Sequence, residues 1–299
     1  MSAIERISSL LKPDISEELS RLDAESREAL SLLLEQATIE VFPAKGVEEQ
    51  VRILPKETRI AVTCPPREGG IDTTLRFTEK LVKEGFQPTP HISARLIPDE
   101  EYLGKILQRL EEQNIKEIFV IGGDSEVAVG EFDSSFTLLS AIAGLGSNFE
   151  EVGIASYPES HSKIDDDILL QALHDKKGLA SYMVTQMCFD AGVIKEWIGN
   201  IREKGIELPV HIGISGPSDI ISLLKFAKRC GVGDSARFLK SHSSLIGKLL
   251  RPDYSPDRLV LDLTPYDNIQ GFHIYTFNQV EKTEIWRSGM LKYINQLRK

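Results

Sequence analysis

Eight short runs rich in β-branched residues, the amphipathic stretches of about 12 to 18 residues between them, and the absence of any Pro/Gly/Ser-rich linker predict an α/β protein folded as one (β/α)8 TIM barrel. The runs are Thr38–Pro43, Arg59–Cys64, Thr89–Ser93, Glu117–Gly122, Glu151–Ser156, Tyr182–Cys188, Pro209–Ile214 and Gly271–Phe277. A doubly wound open sheet would alternate in the same way, but no G-x-G-x-x-G turn follows any run. The 299 residues suit a barrel of roughly 250 residues with additions.

Taken in order, residues 1–36 form an N-terminal helical extension whose amphipathic part is Ser16–Gln36, and residues 37–299 form the barrel. Helix starts are expected at Asp72, at Pro98-Asp99 and at Ser218-Asp219, each ahead of an amphipathic pattern. Gly85 and Gly231 are placed to stop helices. An extra helix, Ser235–Leu250, is expected before the last strand.

Hydrophobic residues at 41% and charged residues at 27% are those of a soluble globular protein, and no apolar stretch of about 18 residues could span a bilayer. The first residues lack a basic start and a small-residue cleavage site, so a cytoplasmic protein is expected. Cys64, Cys188 and Cys230 are odd in number and far apart, which favours buried small hydrophobes over disulfides or a metal site. A net charge of −10 argues against a nucleic-acid partner, since no basic face dominates. Self-association is left open.

In a barrel of this kind chemistry sits at the C-terminal ends of the strands. Polar residues gather there: Glu40, Thr63, His91, Gly123-Asp124, Tyr157, Gln186 and Tyr275. Glu40 is the sharpest, because a carboxyl inside an apolar strand is costly unless paired, protonated or used. The alternative turns it outward onto a surface cation. Asp124 follows two glycines that let the backbone bend around a ligand, or it caps a turn. His91 is either a satisfied rim residue or a proton carrier. The YPESH segment could hold Tyr157 and His161 over a ligand, while Asp165 to Asp167 could equally cap a helix. Gln186 offers an amide donor and acceptor to a heterocycle, or satisfies its own backbone. A basic stripe with Lys225, Lys228, Arg229, Arg237, Lys240 and Lys248 reads as a solvated helix face or as a site for a polyanionic tail.

The blocks IEVFP, TPHIS, GGD, YPESH, VTQMCFD and FHIYTFNQVE stand in the order and spacing found in the methylenetetrahydrofolate reductases, which the chain resembles from about Ala37 to Gln279. That resemblance implies a (β/α)8 barrel that passes a hydride from NADH or NADPH, through FAD, to 5,10-methylenetetrahydrofolate, giving the 5-methyl form. It implies that Glu40 is the general acid toward the tetrahydrofolate derivative and that Asp124 stabilises developing positive charge near pterin and flavin. Gln186 would bond the folate, with Tyr275 and Ile220 completing the substrate site. Thr63, His91, Gly123, Tyr157, His161 and Asp167 would line the flavin, and His174 falls where the family places a flavin-phosphate lysine, with Lys176 and Lys177 close by. The departures bear on the cofactor: Gly122 replaces an arginine, Ile220 a stacking aromatic, and Gln279 another arginine. They resemble a short, divergent branch of which some members work without flavin. Direct hydride transfer, the oxidative direction, and a non-catalytic folate-binding subunit of a methyltransferase or demethylase system are the alternatives the resemblance leaves.

Overall fold

In the computed structural model, residues 13–161, 163–219, 223, 253–264 and 268–298 are described. Eight parallel strands close into a barrel: β1 (Thr38–Val41), β2 (Arg59–Val62), β3 (Gln87–Ser93), β4 (Glu117–Ile121), β5 (Glu151–Ser156), β6 (Tyr182–Thr185), β7 (Val210–Ser215) and β10 (Gly271–Tyr275), with β10 pairing both β7 and β1. All eight expected runs are strands of this barrel. A two-residue antiparallel pair, β8 (Ser218–Asp219) with β9 (Asp253–Tyr254), lies between β7 and β10 in the chain.

Strand alternation sorts the side chains into two cores. Ile39, Ile60, Ile92, Ile118, Ile154, Met183, Ile212 and Ile274 point outward and are fully buried beneath the helices. The other parity points into the barrel and is largely polar or aromatic: Glu40, His91, Phe119, Tyr182, His211 and His273. Rings fill the interior, with centroids 4.7 Å apart for His91 and Phe119, 6.4 Å for Phe119 and Tyr182, and 4.9 Å for Tyr182 and His211. Room for them comes from Gly153, where a Cβ would lie 2.4 Å from the Tyr182 ring and 2.6 Å from that of Phe119. At the N-terminal end Arg59 joins Glu117 and Glu151, and the Tyr182 hydroxyl donates to Glu117, which closes the barrel floor.

The helices are α1 (Pro13–Arg21), α2 (Ala24–Glu35), α3 (Val47–Val51), α4 (Gly70–Lys83), α5 (Glu100–Glu112), α6 (Ser135–Gly144), α7 (Asp166–Lys176), α8 (Ala191–Glu203), α9 (Asp257–Leu263) and α10 (Val280–Leu297). The expected single segment Ser16–Gln36 is two helices, because Asp23 leaves the helical path and caps α2 by accepting from the Ser26 amide at 2.7 Å. Leu19, Leu30 and Leu34 of α1 and α2 share one core with the barrel wall, and α2 packs on α10. Asp99 caps α5 as expected, accepting from the Tyr102 amide at 2.7 Å. Gly85 (φ +82°) follows the end of α4 in the left-handed region.

One helix start is corrected. Helix α4 opens at Gly70 after Gly69, with Asp72 inside its first turn, where an acid favours the helix dipole. Ser218 and Asp219 themselves pair with Asp253–Tyr254 as strand, and of the helix expected after them only Leu223, which is helical, lies within the described residues. Gly231, Ser235–Leu250 and the basic stripe lie outside the described residues. Cys64 and Cys188 are buried, as expected of small hydrophobes, and burial pushes the Cys64 thiol up to about 11. No described helix is long and apolar enough to cross a membrane.

Candidate active site

Glu40 sits in the middle of an otherwise aliphatic strand, and the register of β1 turns it inward, opposite Ala61 of β2 and Tyr275 of β10. It is 8% exposed, and two imidazoles approach the same carboxylate oxygen. Nε2 of His273 lies 3.2 Å from Oε2, and Nε2 of His91 lies 3.9 Å from it. The backbone carbonyl of Glu40 accepts from the Thr276 hydroxyl at 2.6 Å, which fixes the strand behind it. Oε1 is not among the sealed polar atoms without a partner, so it is the oxygen left open to a ligand.

The surroundings decide the charges. Burial holds His91 down at about 4; Glu40 opposes that shift and His273 adds to it, so His91 is neutral near pH 7. Its Nε2 is sealed from solvent without a hydrogen-bond partner, as is Oγ1 of Thr63 at the end of β2. The unpartnered Nε2 of His91, 3.9 Å from the Glu40 carboxylate, is a polar atom that a ligand or water could satisfy. His211, deeper in the barrel, is also held at about 4, by burial first and then by Arg59 and His273. Both histidines bind protons more readily when unfolded, so the unfolded state gains protons over the folded one as pH drops below 6.5. Stability is therefore expected to be full above about pH 6.5 and to fall between there and about pH 4. Urea midpoints measured across that range check this, and a flat profile would contradict neutral buried imidazoles.

The other expected site residues are spread around the rim. Gly123 (φ +96°) ends β4 in a conformation that favours glycine, and a Cβ there would fall 2.0 Å from the Ser93 hydroxyl. Asp124, next to it, is exposed, and its carboxylate acts electrostatically on His161. Tyr157 and His161 meet edge to face at 5.1 Å in the loop after β5. Burial, with Lys163, lowers the His161 imidazole, and Asp124 opposes this. Gln186 lies one residue past β6, not within it, and its side-chain oxygen accepts from the Met187 amide at 2.8 Å. The Tyr275 hydroxyl donates to the Thr185 carbonyl at 2.9 Å. Asp167 is exposed in the first turn of α7, and His174 is in the last turn, about 10 Å further along the axis. Ile220 lies outside the described residues.

The structure thus brings together Glu40 and His91 and adds His273, which sequence reading passed over. Its signal was available: His273 stands two residues before Tyr275, on the same face of the strand.

A closed eight-stranded parallel barrel with a buried carboxyl between two imidazoles defines the class as a (β/α)8 protein with its polar site inside the barrel. Residues 36–243 match the family model of methylenetetrahydrofolate reductase, and the chain belongs to that family. It is 28% identical over 148 residues to Methylenetetrahydrofolate reductase 1 of Schizosaccharomyces pombe, across 46% of this chain and 24% of that one. It is 25% identical over 165 residues to Methylenetetrahydrofolate reductase 2 of Saccharomyces cerevisiae, across 50% of this chain and 26% of that one. The match therefore spans about a quarter of the length of these relatives.

The family's flavin can be tested against the charges present. The loop 122–134 between β4 and α6 contains Asp124, Glu126, Glu131 and Asp133 and no lysine or arginine. Arg95, the nearest cation bonded to that loop, is occupied by the carbonyls of Ser125 and Asp133, at 2.8 and 2.9 Å. Asp165, Asp166 and Asp167 add negative charge at the start of α7. Thr63, Gly123 and Tyr157 could face a flat ring; the loop after β4 offers a dinucleotide diphosphate no cation of its own, and the loop after β5 offers Lys163 beside His161.

Proposed function

We propose that the chain is an oxidoreductase acting on a one-carbon unit of a reduced folate, with Glu40 as the general acid and a reduced nicotinamide as hydride donor. The observation that carries this reading is the carboxyl of Glu40, held in the barrel with one oxygen bonded to His273 and the other open. In the tautomer that carries hydrogen on Nε2, His273 donates to Oε2. In that tautomer a proton held by the carboxyl sits on Oε1, the oxygen a substrate nitrogen could reach. Donating it to an amine of the imidazolidine ring of 5,10-methylenetetrahydrofolate opens the ring to an iminium, whose carbon then accepts hydride to become the methyl group. The low-dielectric interior strengthens the acid's contact with the substrate, and neutral His91 adds no competing charge. Asp124, on the rim, would act on the positive charge of the iminium through space, and Gln186 would hold the pterin by the amide hydrogens its own oxygen's backbone contact leaves free.

The acidic rim favours direct transfer over the flavin route. Purified protein is expected to show no flavin band near about 450 nm and to oxidise NADH or NADPH only when methylenetetrahydrofolate is added. A yellow protein whose turnover depends on restored FAD would overturn the flavin-free reading, and no folate-dependent oxidation or its reverse would overturn the function.

A further inference from the structure

Outside the barrel wall, between α7 and α8, lies a cavity of about 320 Å³. Leu169, Leu173, Val193, Trp197 and Ile201 of the two helices give it an apolar side, and Ser160, Asp166, Glu196 and Asn200 a polar one. Two cations line it, Lys176 and Lys204. Lys176, the last residue of α7, lines the cavity and is only 7% exposed. Among the described residues its ammonium has neither an ion pair nor a hydrogen bond.

A lysine can bury its stem and leave its amine in water, and such an amine titrates near its ordinary 10.5. Lys176 does not: burial lowers it to about 8, with Asp175 opposing the shift. The charged groups around it are Asp166 and Asp175 on its own helix and Glu196 and Lys204 on α8, of which only Asp175 registers on it. Asp175 offsets only part of the cost of burying this ammonium, and a bound anion would lower it further. The volume lies at the small end of ligand pockets, enough for a single ring with a short side chain. The cavity is distinct from the Glu40 site: it meets β5 at Ala155 and Ser156 and the following loop at Tyr157, Pro158 and Ser160, and Glu40, His91 and His273 do not line it.

We propose that this cavity binds a small organic carboxylate with an apolar body, its charge on Lys176 and its body against Trp197 and Leu173. The basic end of the pocket lies within a chain of net charge −10, so the anion is recognised locally and not by a general field.

Phenylacetate titrated into the full chain tests this by calorimetry and by the fluorescence of Trp197, with Trp197→Phe assigning the signal. Saturable binding is expected. At pH 9, where most of Lys176 is neutral, binding should take up close to one proton, seen as heats that differ between buffers of unlike ionisation enthalpy; at pH 7 uptake should be small. Lys176→Met should weaken binding by about tenfold or more, and Lys176→Gln, which keeps a polar tip should the methionine collapse the cavity, should weaken it similarly. Lys204→Met should change little. No saturation at millimolar phenylacetate, proton uptake that does not depend on pH, or unchanged affinity in both Lys176 variants would overturn the proposal. Inorganic phosphate binding as tightly as phenylacetate would also overturn it, since the apolar wall would then play no part.

Discussion

Replacing Glu40 with Gln is expected to lower kcat by about a hundredfold to ten-thousandfold while leaving the affinity for methyltetrahydrofolate little changed. The amide has the shape of the carboxyl and can still accept from His273 through its oxygen, so the 3.2 Å contact and the packing around it survive. What it lacks is an acidic proton to give to the folate nitrogen. Loss of kcat with intact binding separates this role from a structural one, because a misfolded or repacked interior would lose both. Equilibrium binding of methyltetrahydrofolate, measured beside single-turnover oxidation of the nicotinamide, gives the two numbers needed. Turnover at the wild-type rate would remove Glu40 from the mechanism, and with it the function proposed above.

Glu40 was legible in the sequence because a charged residue within TIEVFP has few physical excuses. The eight strands were legible for a related reason: each is a short apolar, β-branched run set off from its neighbours by amphipathic helical stretches. Long-range pairing was not legible: Ser218-Asp219 pairs with Asp253–Tyr254, about 35 residues away in the chain, and no local rule contains that pairing. Asp72 looks like a cap, but Gly69 (φ +70°) already turns the chain into the helix. Asp124 and Gln186 occupy strand ends as expected, and the structure leaves the first exposed and the second tied to its neighbour's amide. Loop residues take their direction from packing that a strand-end rule does not encode.

His273 is the clearest case, and it carries the second large effect. A lone histidine in FHIYTF has no meaning until the barrel closes and β10 is laid beside β1, which brings it to a carboxylate 233 positions earlier. Once there it acts on Glu40, not on substrate, and is a positioning residue. His273→Leu keeps most of the volume and removes the donor, so the acid's proton is no longer confined to Oε1 and the carboxyl is free to rotate. The expected result is a fall in kcat of about tenfold to a hundredfold, smaller than for Glu40→Gln, with KM little altered. His273→Gln, which restores an N–H donor near the same place, should recover part of the loss; a filler of space alone would be matched as well by leucine. Should both variants fold and turn over like the wild type while Glu40→Gln is inactive, the acid role stands and the control assigned to His273 falls. If the leucine and glutamine variants are equally impaired, the ring matters for packing beside Phe119 and Tyr275, whose centroids lie 6.4 and 5.1 Å away, and not for the proton.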